Sequence, residues 1–299
     1  MWWRHHEQVP VGVVDVGSNT VRLEVARGSR TLHSEKVMLR LGESIERTGS
    51  IPEKKLAECA ALVEAYSAEA LRHGATRIEV LVTSPGRQAA NGAELLERLA
   101  SVAYGPVRLL SAEDEGRLAF AGAAELARFR GQPVLAVCDV GGGSAQIAVG
   151  TKREGATWVR SIDIGSMRLT ARLLSDDPPG EAAVADARSD VDRLLADISP
   201  PAAEAALAIG GSARALRRIV GAELDAELLA EACALLATTP ADEVVRRYGV
   251  DPARVRTLAA GAVILSAIRD LLGIPLQVVR GGVREGAVLD LESGSRAAA

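Results

Sequence analysis

The chain has 299 residues, of which 48% are hydrophobic, 25% charged and only 3% aromatic, enough for two domains with cores of aliphatic side chains. Its three cysteines are far apart and lack CxxC spacing, which argues against a disulfide framework or a zinc site and indicates a cytoplasmic protein. The longest apolar run, Leu258 to Ile268, is far shorter than the roughly 20 residues of a membrane span, and the net charge of −4 indicates no nucleic-acid partner.

Apolar periodicity predicts alternating strands and helices in both halves of the chain. In the first half we expect strands at 11–16, 20–26 and 31–40, a helix from Pro52, a strand at 78–82, a helix at 93–103, a strand at 107–110 and a helix from Ala112. In the second half we expect strands at 134–139, 145–150 and 157–164, helices to about 198, a strand at 205–209, helices at 212–219, 226–237 and 254–272, a strand at 276–279 and a helix from Arg284. The pattern predicts an α/β protein with two domains, at 1–125 and 126–299.

The most informative motif is a glycine-rich turn that occurs twice after a Val-rich strand. The two copies are DVGSNTVRL, from Asp15 to Leu23, and DVGGGSAQI, from Asp139 to Ile147. Glycine lets backbone amides approach an anion closely, so two facing turns predict a clamp for phosphate. The carboxylates of Asp15 and Asp139 are suited to holding Mg²⁺ beside that phosphate.

These segments resemble the exopolyphosphatase and guanosine pentaphosphate phosphohydrolase (Ppx/GppA) family. Further segments that match in order are TSPGRQAANG at 83–92, SAEDEGRLAF at 111–120, IGSMRL at 164–169, IGGSARAL at 209–216 and VREGAVLD at 283–290. The resemblance implies two actin-like (ASKHA, ribonuclease H-like) domains around a cleft, with the last helix packing back on the first domain. It also implies the short, two-domain form, without the HD-type helical domain of longer members.

The resemblance implies roles for individual residues in the hydrolysis of a terminal phosphoanhydride. Glu115, directly before Gly-Arg, matches the glutamate that activates water. Phosphate is expected at a set of turn residues and two arginines: Gly17, Ser18, Asn19, Arg22, Arg87, Gly141, Gly142, Gly143 and Ser144. Asp15 and Asp139 are the expected ligands of Mg²⁺ or another divalent cation.

Plainer interpretations remain open for several of these residues. Glu113, Asp114 and Glu115 are consecutive acids in a first helical turn, where the helix dipole favours carboxylates without any catalysis. Ser18 and Ser144 can be turn formers, and Arg87 can be a solvated loop charge. The family usually has glutamate where this chain has Gln146, which puts metal affinity or water activation in doubt.

Three functions follow as hypotheses. The first is an exopolyphosphatase that releases orthophosphate from inorganic polyphosphate, and the second is a 5′-phosphohydrolase of guanosine pentaphosphate (pppGpp). The third is a phosphate-binding or nucleotide-binding regulatory module with little turnover, which Gln146 keeps open. The resemblance also implies a homodimer. His5, His6, His33 and His73 show no ligand spacing tied to these motifs, and we expect them at the surface.

Overall fold

The computed structural model describes residues 9–297 of the chain. The first half contains β1 (Val11–Val16), β2 (Thr20–Arg27), β3 (Arg30–Met38), α1 (Leu41–Thr48), α2 (Glu53–Arg72), β4 (Arg77–Val82), α3 (Ser84–Gln88), α4 (Gly92–Val102), β5 (Val107–Leu109) and α5 (Ala112–Leu126). The second half contains β6 (Leu135–Val140), β7 (Ala145–Thr151), β8 (Gly155–Ile162), α6 (Ser166–Leu173), α7 (Glu181–Leu195), β9 (Ala205–Ile209), α8 (Gly210–Val220), β10 (Glu223–Leu224), α9 (Ala226–Thr238), α10 (Ala241–Tyr248), α11 (Pro252–Val255), α12 (Leu258–Leu272), β11 (Leu276–Val278) and α13 (Val283–Ala297).

The two halves repeat one sheet topology. The strand order is β3-β2-β1-β4-β5 in the first sheet and β10-β11-β9-β6-β7-β8 in the second, so β1 and β6 hold equivalent positions. Each pairs antiparallel with the strand that follows it, β2 or β7, and parallel with the third strand after it, β4 or β9. The predicted α/β class with two similar domains is therefore confirmed, while the division at residues 125 and 126 stays a prediction.

The helices α5 and α13 join the two sheets. One buried cluster combines Val13 of the first sheet and Val137 of the second with Phe120 of α5 and Ala287 of α13. Two further clusters lie in the individual halves. Because the shared cluster includes both sheets, α5 and α13 hold the two halves in a fixed relation, and the last helix packs on α5 and β1.

Glycines allow the backbones of α5 and α13 to approach closely. A Cβ at Gly286 would lie 2.0 Å from the carbonyl oxygen of Leu118, and a Cβ at Gly122 would lie 2.2 Å from that of Gly282. A backbone carbonyl cannot rotate away as a flexible side chain can. The pair can therefore keep this separation only without side chains at these positions.

The sequence pattern missed several short helices and placed the start of α2 correctly. The helices α1, α3 and α10 have eight residues or fewer, too few to show a repeated apolar period. The helix α2 begins at Glu53 with Pro52 as its N-cap residue and has no side-chain cap. No helix within residues 9–297 is long and apolar enough to cross a membrane.

We expect Gly286→Ala to lower the free energy of unfolding by about 1–3 kcal/mol, because the new methyl group meets the Leu118 carbonyl. The matched control is Gly294→Ala in the same helix, where the nearest atoms to an added Cβ are 3.8 Å away and alanine's helix propensity is favourable. Urea denaturation of both variants checks this. Equal stability of the two would contradict the proposed close helix packing.

Candidate active site

The two glycine-rich turns have the same hydrogen-bonding pattern. In the first, the amide of Gly17 donates to the carbonyl of Thr20 over 3.0 Å, and in the second the amide of Gly141 donates to Ser144 over 3.0 Å. The preceding aspartates occupy equivalent positions, since Asp15 pairs with Arg22 across the first hairpin and Asp139 pairs with Gln146 across the second. The repeat seen in the sequence is thus a repeat of backbone geometry.

The carbonyl groups of each turn are held by the helix that follows its hairpin. Ser18 accepts a hydrogen bond from the amide of Gly42 in α1, and Gly142 accepts one from Met167 in α6. Among the hydrogen bonds within residues 9–297, none is donated by the amides of Ser18, Asn19, Gly142 or Gly143. The amides of Ser18, Asn19 and Gly142, which line the cavity described below, therefore remain free to bind an anion.

The turns face each other across a narrow gap. A Cβ at Gly142 would lie 3.4 Å from the Cβ atoms of Ser18 and Asn19. A Cβ at Gly143 would lie 2.5 Å from the Oγ of Ser18 and 2.7 Å from the Oγ of Ser84, and these two hydroxyls are hydrogen bonded over 2.6 Å. Because a side chain at 143 would collide with the first half, the glycine run lets the two turns approach.

The turns line one side of a cavity of about 130 Å³ between the two halves. From the two hairpins the lining residues include Asp15, Gly17, Ser18, Asn19, Arg22, Asp139, Gly141, Gly142 and Ser144. From the other elements they include Ser84, Glu115, Gly210, Gly211, Ser212, Arg214, Arg254, Arg284 and Glu285. The cavity is therefore built by segments from almost the whole length of the chain.

Asp15 and Asp139 are partly buried carboxylates that face this cavity. Neither has an ion-pair partner within 4 Å in the described part of the chain. Desolvation by the surrounding protein raises the pKa of both carboxyls, that of Asp139 to about 6, and the charge of Asp15 adds to the effect on Asp139. Two oxygen donors that lack a protein cation fit Mg²⁺ or a similar divalent ion, and these two residues would hold it.

Glu115 lies in the first turn of α5, where Ser111 caps the helix by accepting from the amide of Asp114. The guanidinium of Arg87 donates from Nη2 to Glu115 Oε2 over 2.7 Å and from Nη1 to the carbonyl of Leu110 over 2.8 Å. Burial raises the pKa of Glu115 to about 7, against the lowering effect of Arg87. The carboxylate is thus oriented, with Oε1 left for another partner.

Four arginines from four separate elements converge on the cavity: Arg22, Arg214, Arg254 and Arg284. Burial, together with the charge of Arg284, lowers the pKa of Arg22 to about 10. Such mutual repulsion between guanidinium groups is relieved when an anion binds between them. The site therefore combines positive charge for phosphate with carboxylates for a metal.

Gln146 does not line the cavity but lies beneath it. Its side chain is buried, and Nε2 donates to the Oγ of Ser144 over 2.9 Å and to the Oγ of Ser161 over 3.3 Å. A carboxylate could not donate these bonds. The glutamine therefore holds the serine of the second turn in place.

The structure brings most of the residues expected from the sequence to one cavity, and it places two elsewhere. Arg87 contacts Glu115 and does not line the cavity, and Gly143 lies at the contact between the turns. The pattern analysis missed Arg254, which follows no recognisable motif. Gly210, Gly211 and Ser212 of the matched segment at 209–216 also line the cavity, with Gly210 at φ +90°.

Comparison with known proteins agrees with this arrangement. The model of the Ppx/GppA phosphatase family matches residues 20–294. The chain belongs to this family. Exopolyphosphatase 1 of Mycobacterium tuberculosis is 30% identical over 93% of this chain and 87% of that protein. The guanosine-5′-triphosphate,3′-diphosphate pyrophosphatase of Aeromonas hydrophila is 24% identical over 96% of this chain and 60% of that protein.

Solved structures of Ppx/GppA proteins share the fold. The enzyme of Aquifex aeolicus gives a TM-score of 0.78 at 24% identity, over 94% of this chain and 99% of that one. An exopolyphosphatase of Cytophaga hutchinsonii gives 0.81 at 19% identity, over 95% and 98% of the two chains. These matches confirm the predicted pair of actin-like domains. Members of the Ppx/GppA family are phosphoanhydride hydrolases, and membership of the family therefore indicates that this chain hydrolyses phosphoanhydride bonds.

We expect Asp139→Asn to raise the stability of the metal-free protein by about 3 kcal/mol at pH 8. The pKa of Asp139 is raised from 3.8 to about 6 in the folded protein, so the ionised carboxylate destabilises the fold above pH 6. This penalty shrinks as the pH falls from about 6 to about 4. The difference in free energy of unfolding between the variant and the wild type should shrink with it. Denaturation at several pH values measures the effect.

The control for this measurement is Asp176→Asn, an exposed aspartate that does not line the cavity. Mg²⁺ should raise the melting temperature of the wild type and of the control more than that of Asp139→Asn. If Asp139→Asn destabilises the metal-free protein at pH 8, the carboxylate has a stabilising partner and our assignment is wrong.

Proposed function

We propose that the protein is an exopolyphosphatase that hydrolyses the terminal phosphoanhydride of inorganic polyphosphate, with Glu115 activating the attacking water. The observation that carries the proposal is the oriented Glu115 carboxylate at a cavity shared by two turns with free amides and by four arginines. In this arrangement one group can accept a proton beside groups that neutralise a phosphate. A binding module would not need the oriented carboxylate.

The residues divide the work of the reaction as follows. The amides of Ser18, Asn19 and Gly142, together with Arg22, bind the oxygens of the terminal phosphoryl group. Asp15 and Asp139 would hold a divalent cation, which would supply positive charge beside the phosphate. The role of Arg87 is then to position Glu115 rather than to contact the phosphate.

Proton transfer is assigned to the free oxygen of the catalytic carboxylate. Arg87 holds Oε2 of Glu115, so Oε1 accepts the proton from water as the water oxygen attacks phosphorus. The bond from phosphorus to the bridging oxygen breaks, which releases orthophosphate and a chain shorter by one unit. A pKa of about 7 lets the carboxylate accept a proton near neutral pH and then release it.

A second cavity supports a linear polyanion as the substrate. This cavity of about 420 Å³ shares Gly211, Arg214 and Arg254 with the first and adds Arg217, Arg218 and Arg280. Its one acid, Asp251, is paired with Lys36 over 3.1 Å. An arginine-lined path that continues beyond the terminal phosphate suits the remaining phosphates of a polymer.

Hydrolysis of pppGpp is the second candidate, because the Aeromonas hydrophila relative is named for that nucleotide and aligns with nearly the whole chain. Neither cavity has an aromatic side chain in its lining within residues 9–297, so a guanine base would find no ring on which to stack. This favours polyphosphate. A homodimer and a cytoplasmic location remain predictions.

A substrate panel tests the proposal. We expect Mg²⁺-dependent release of orthophosphate from polyphosphates of defined length, and less from pppGpp and ATP, with a chelator abolishing all release. The measurement is phosphate release at equal concentration of cleavable ends. Preference for pppGpp would replace the proposal with the second candidate, and no release from any compound would leave a regulatory binding module.

Glu115→Gln should lower turnover by about 10² or more while it leaves substrate binding within a few-fold, because glutamine keeps the size but cannot accept the proton. The matched control is Glu113→Gln in the same helical turn, where the glutamate forms an exposed ion pair with Arg117 over 2.7 Å. Steady-state kinetics and equilibrium binding of polyphosphate measure the two effects. Unchanged turnover in Glu115→Gln would mean that another carboxylate is the base.

A further inference from the structure

A cluster of imidazole and carboxylate groups lies outside the cavity, on the first sheet and the helix α2. His33 and Glu35 belong to β3, Glu69 belongs to α2, and His73 follows that helix. Ligand atoms of His33, Glu69 and His73 all lie within 4.8 Å of one another. We propose that this cluster binds a divalent transition-metal ion of the Zn²⁺ class, independently of the function proposed above.

The secondary structure brings these four residues to one place. His33 and Glu35 are two apart on a strand, so both side chains point to the same face of the sheet. Glu69 and His73 are four apart at the end of a helix, where such residues are neighbours. The interval of 36 residues between Glu69 and His33 explains why linear spacing gave no sign of a metal site.

The imidazole nitrogen atoms that would bind a metal are already within hydrogen-bonding distance of two carboxylates. His33 Nε2 lies 2.8 Å from Glu35 Oε1 and 4.0 Å from Glu69 Oε1, and His73 Nε2 lies 2.9 Å from Glu69 Oε1. Ligands at about 2.0–2.2 Å from a tetrahedral ion are about 3.4 Å from each other, which falls within this range of distances. Rotation of the two imidazole rings out of their stacked arrangement would therefore form a site with two nitrogen and two oxygen ligands.

Further contacts position the cluster before any ion binds. The imidazole rings of His33 and His73 are stacked, with centroids 3.9 Å apart and planes inclined by 11°. Arg72 bonds the second oxygen of Glu69, Oε2, which leaves Oε1 to face both rings. An outer partner that orients a ligand in this way is typical of metal centres.

The chemistry of the donors separates this site from the cavity. Imidazole nitrogen suits Zn²⁺, Ni²⁺ and Cu²⁺, whereas Mg²⁺ prefers oxygen ligands in an octahedral arrangement. Metal binding here would also join β3, the edge strand of the first sheet, to the end of α2. The ion would then act as a clip that stabilises the first half of the chain.

The test is titration of the full chain with Zn²⁺ in excess Mg²⁺, so that oxygen sites are occupied. His5 and His6 are adjacent in the sequence and outside the described residues, so all measurements use a His5→Gln, His6→Gln background. We expect one equivalent of Zn²⁺ to bind and to raise the melting temperature. His33→Gln and His73→Gln should each weaken binding at least tenfold and abolish that rise.

The matched controls separate ligation from a general surface effect. Glu69→Gln should weaken binding, whereas Glu64→Gln, an exposed change on the same helix, should leave it unchanged. X-ray absorption of the Zn²⁺-loaded protein should show two imidazole ligands. The proposal is overturned if the protein fails to bind Zn²⁺, if a His33→Gln, His73→Gln double variant binds it equally well, or if the ion is coordinated by oxygen alone. A cooperative melting transition without metal shows that each variant is folded.

Discussion

The close packing of α5 against α13 is the constraint on which the rest of the structure depends. These helices lie between the two sheets, and each begins at the cavity, α5 with Glu115 and α13 with Arg284. Gly122 and Gly286 bring their backbones into contact, so the two helix starts cannot shift independently. The proposed base and one arginine of the cavity are therefore positioned by helix packing, while the turns that surround them are positioned by strand pairing.

The same packing creates an electrostatic cost. Asp15, Asp139 and Glu115 are brought together where desolvation raises the pKa of each carboxyl, and the charge of Asp15 adds to the rise at Asp139 and Glu115. The arginines of the cavity offset part of this, but burial and the charge of Arg284 lower the pKa of Arg22. The cavity holds carboxylates close to one another and arginines close to one another. It is therefore stabilised most by a ligand that carries both positive and negative charge. Phosphate with a divalent cation is such a ligand, and we infer that the cavity is less stable without it.

The sequence predicted the parts of the site that depend on local structure. Both hairpins follow from Val-rich strands flanking glycine turns, and the place of Glu115 in a first helical turn follows from the helix predicted from Ala112. Arg254 could not be found in this way, because it comes from the short helix α11, and only the tertiary fold of α8 and α11 brings it to the cavity. His33 and His73 could not be paired from the sequence either. Their proximity depends on how α2 packs against β3, and apolar periodicity predicts the elements but not their packing.

The two hairpins of the internal repeat share a backbone geometry but differ in a residue next to the site. The residue opposite the turn aspartate is Arg22 in the first copy and Gln146 in the second. A Cβ at Gly116 would lie 3.7 Å from the Cβ of Gln146, so this glutamine is beside the helical turn that carries Glu115. A carboxylate at position 146, added to those of Asp15 and Asp139, would raise the pKa of Glu115 further from its ordinary value. Glutamine adds no charge and still donates a hydrogen bond to Ser144. The departure from the family pattern is thus compatible with a base that works near neutral pH, and it leaves Asp15 and Asp139 as the proposed metal ligands.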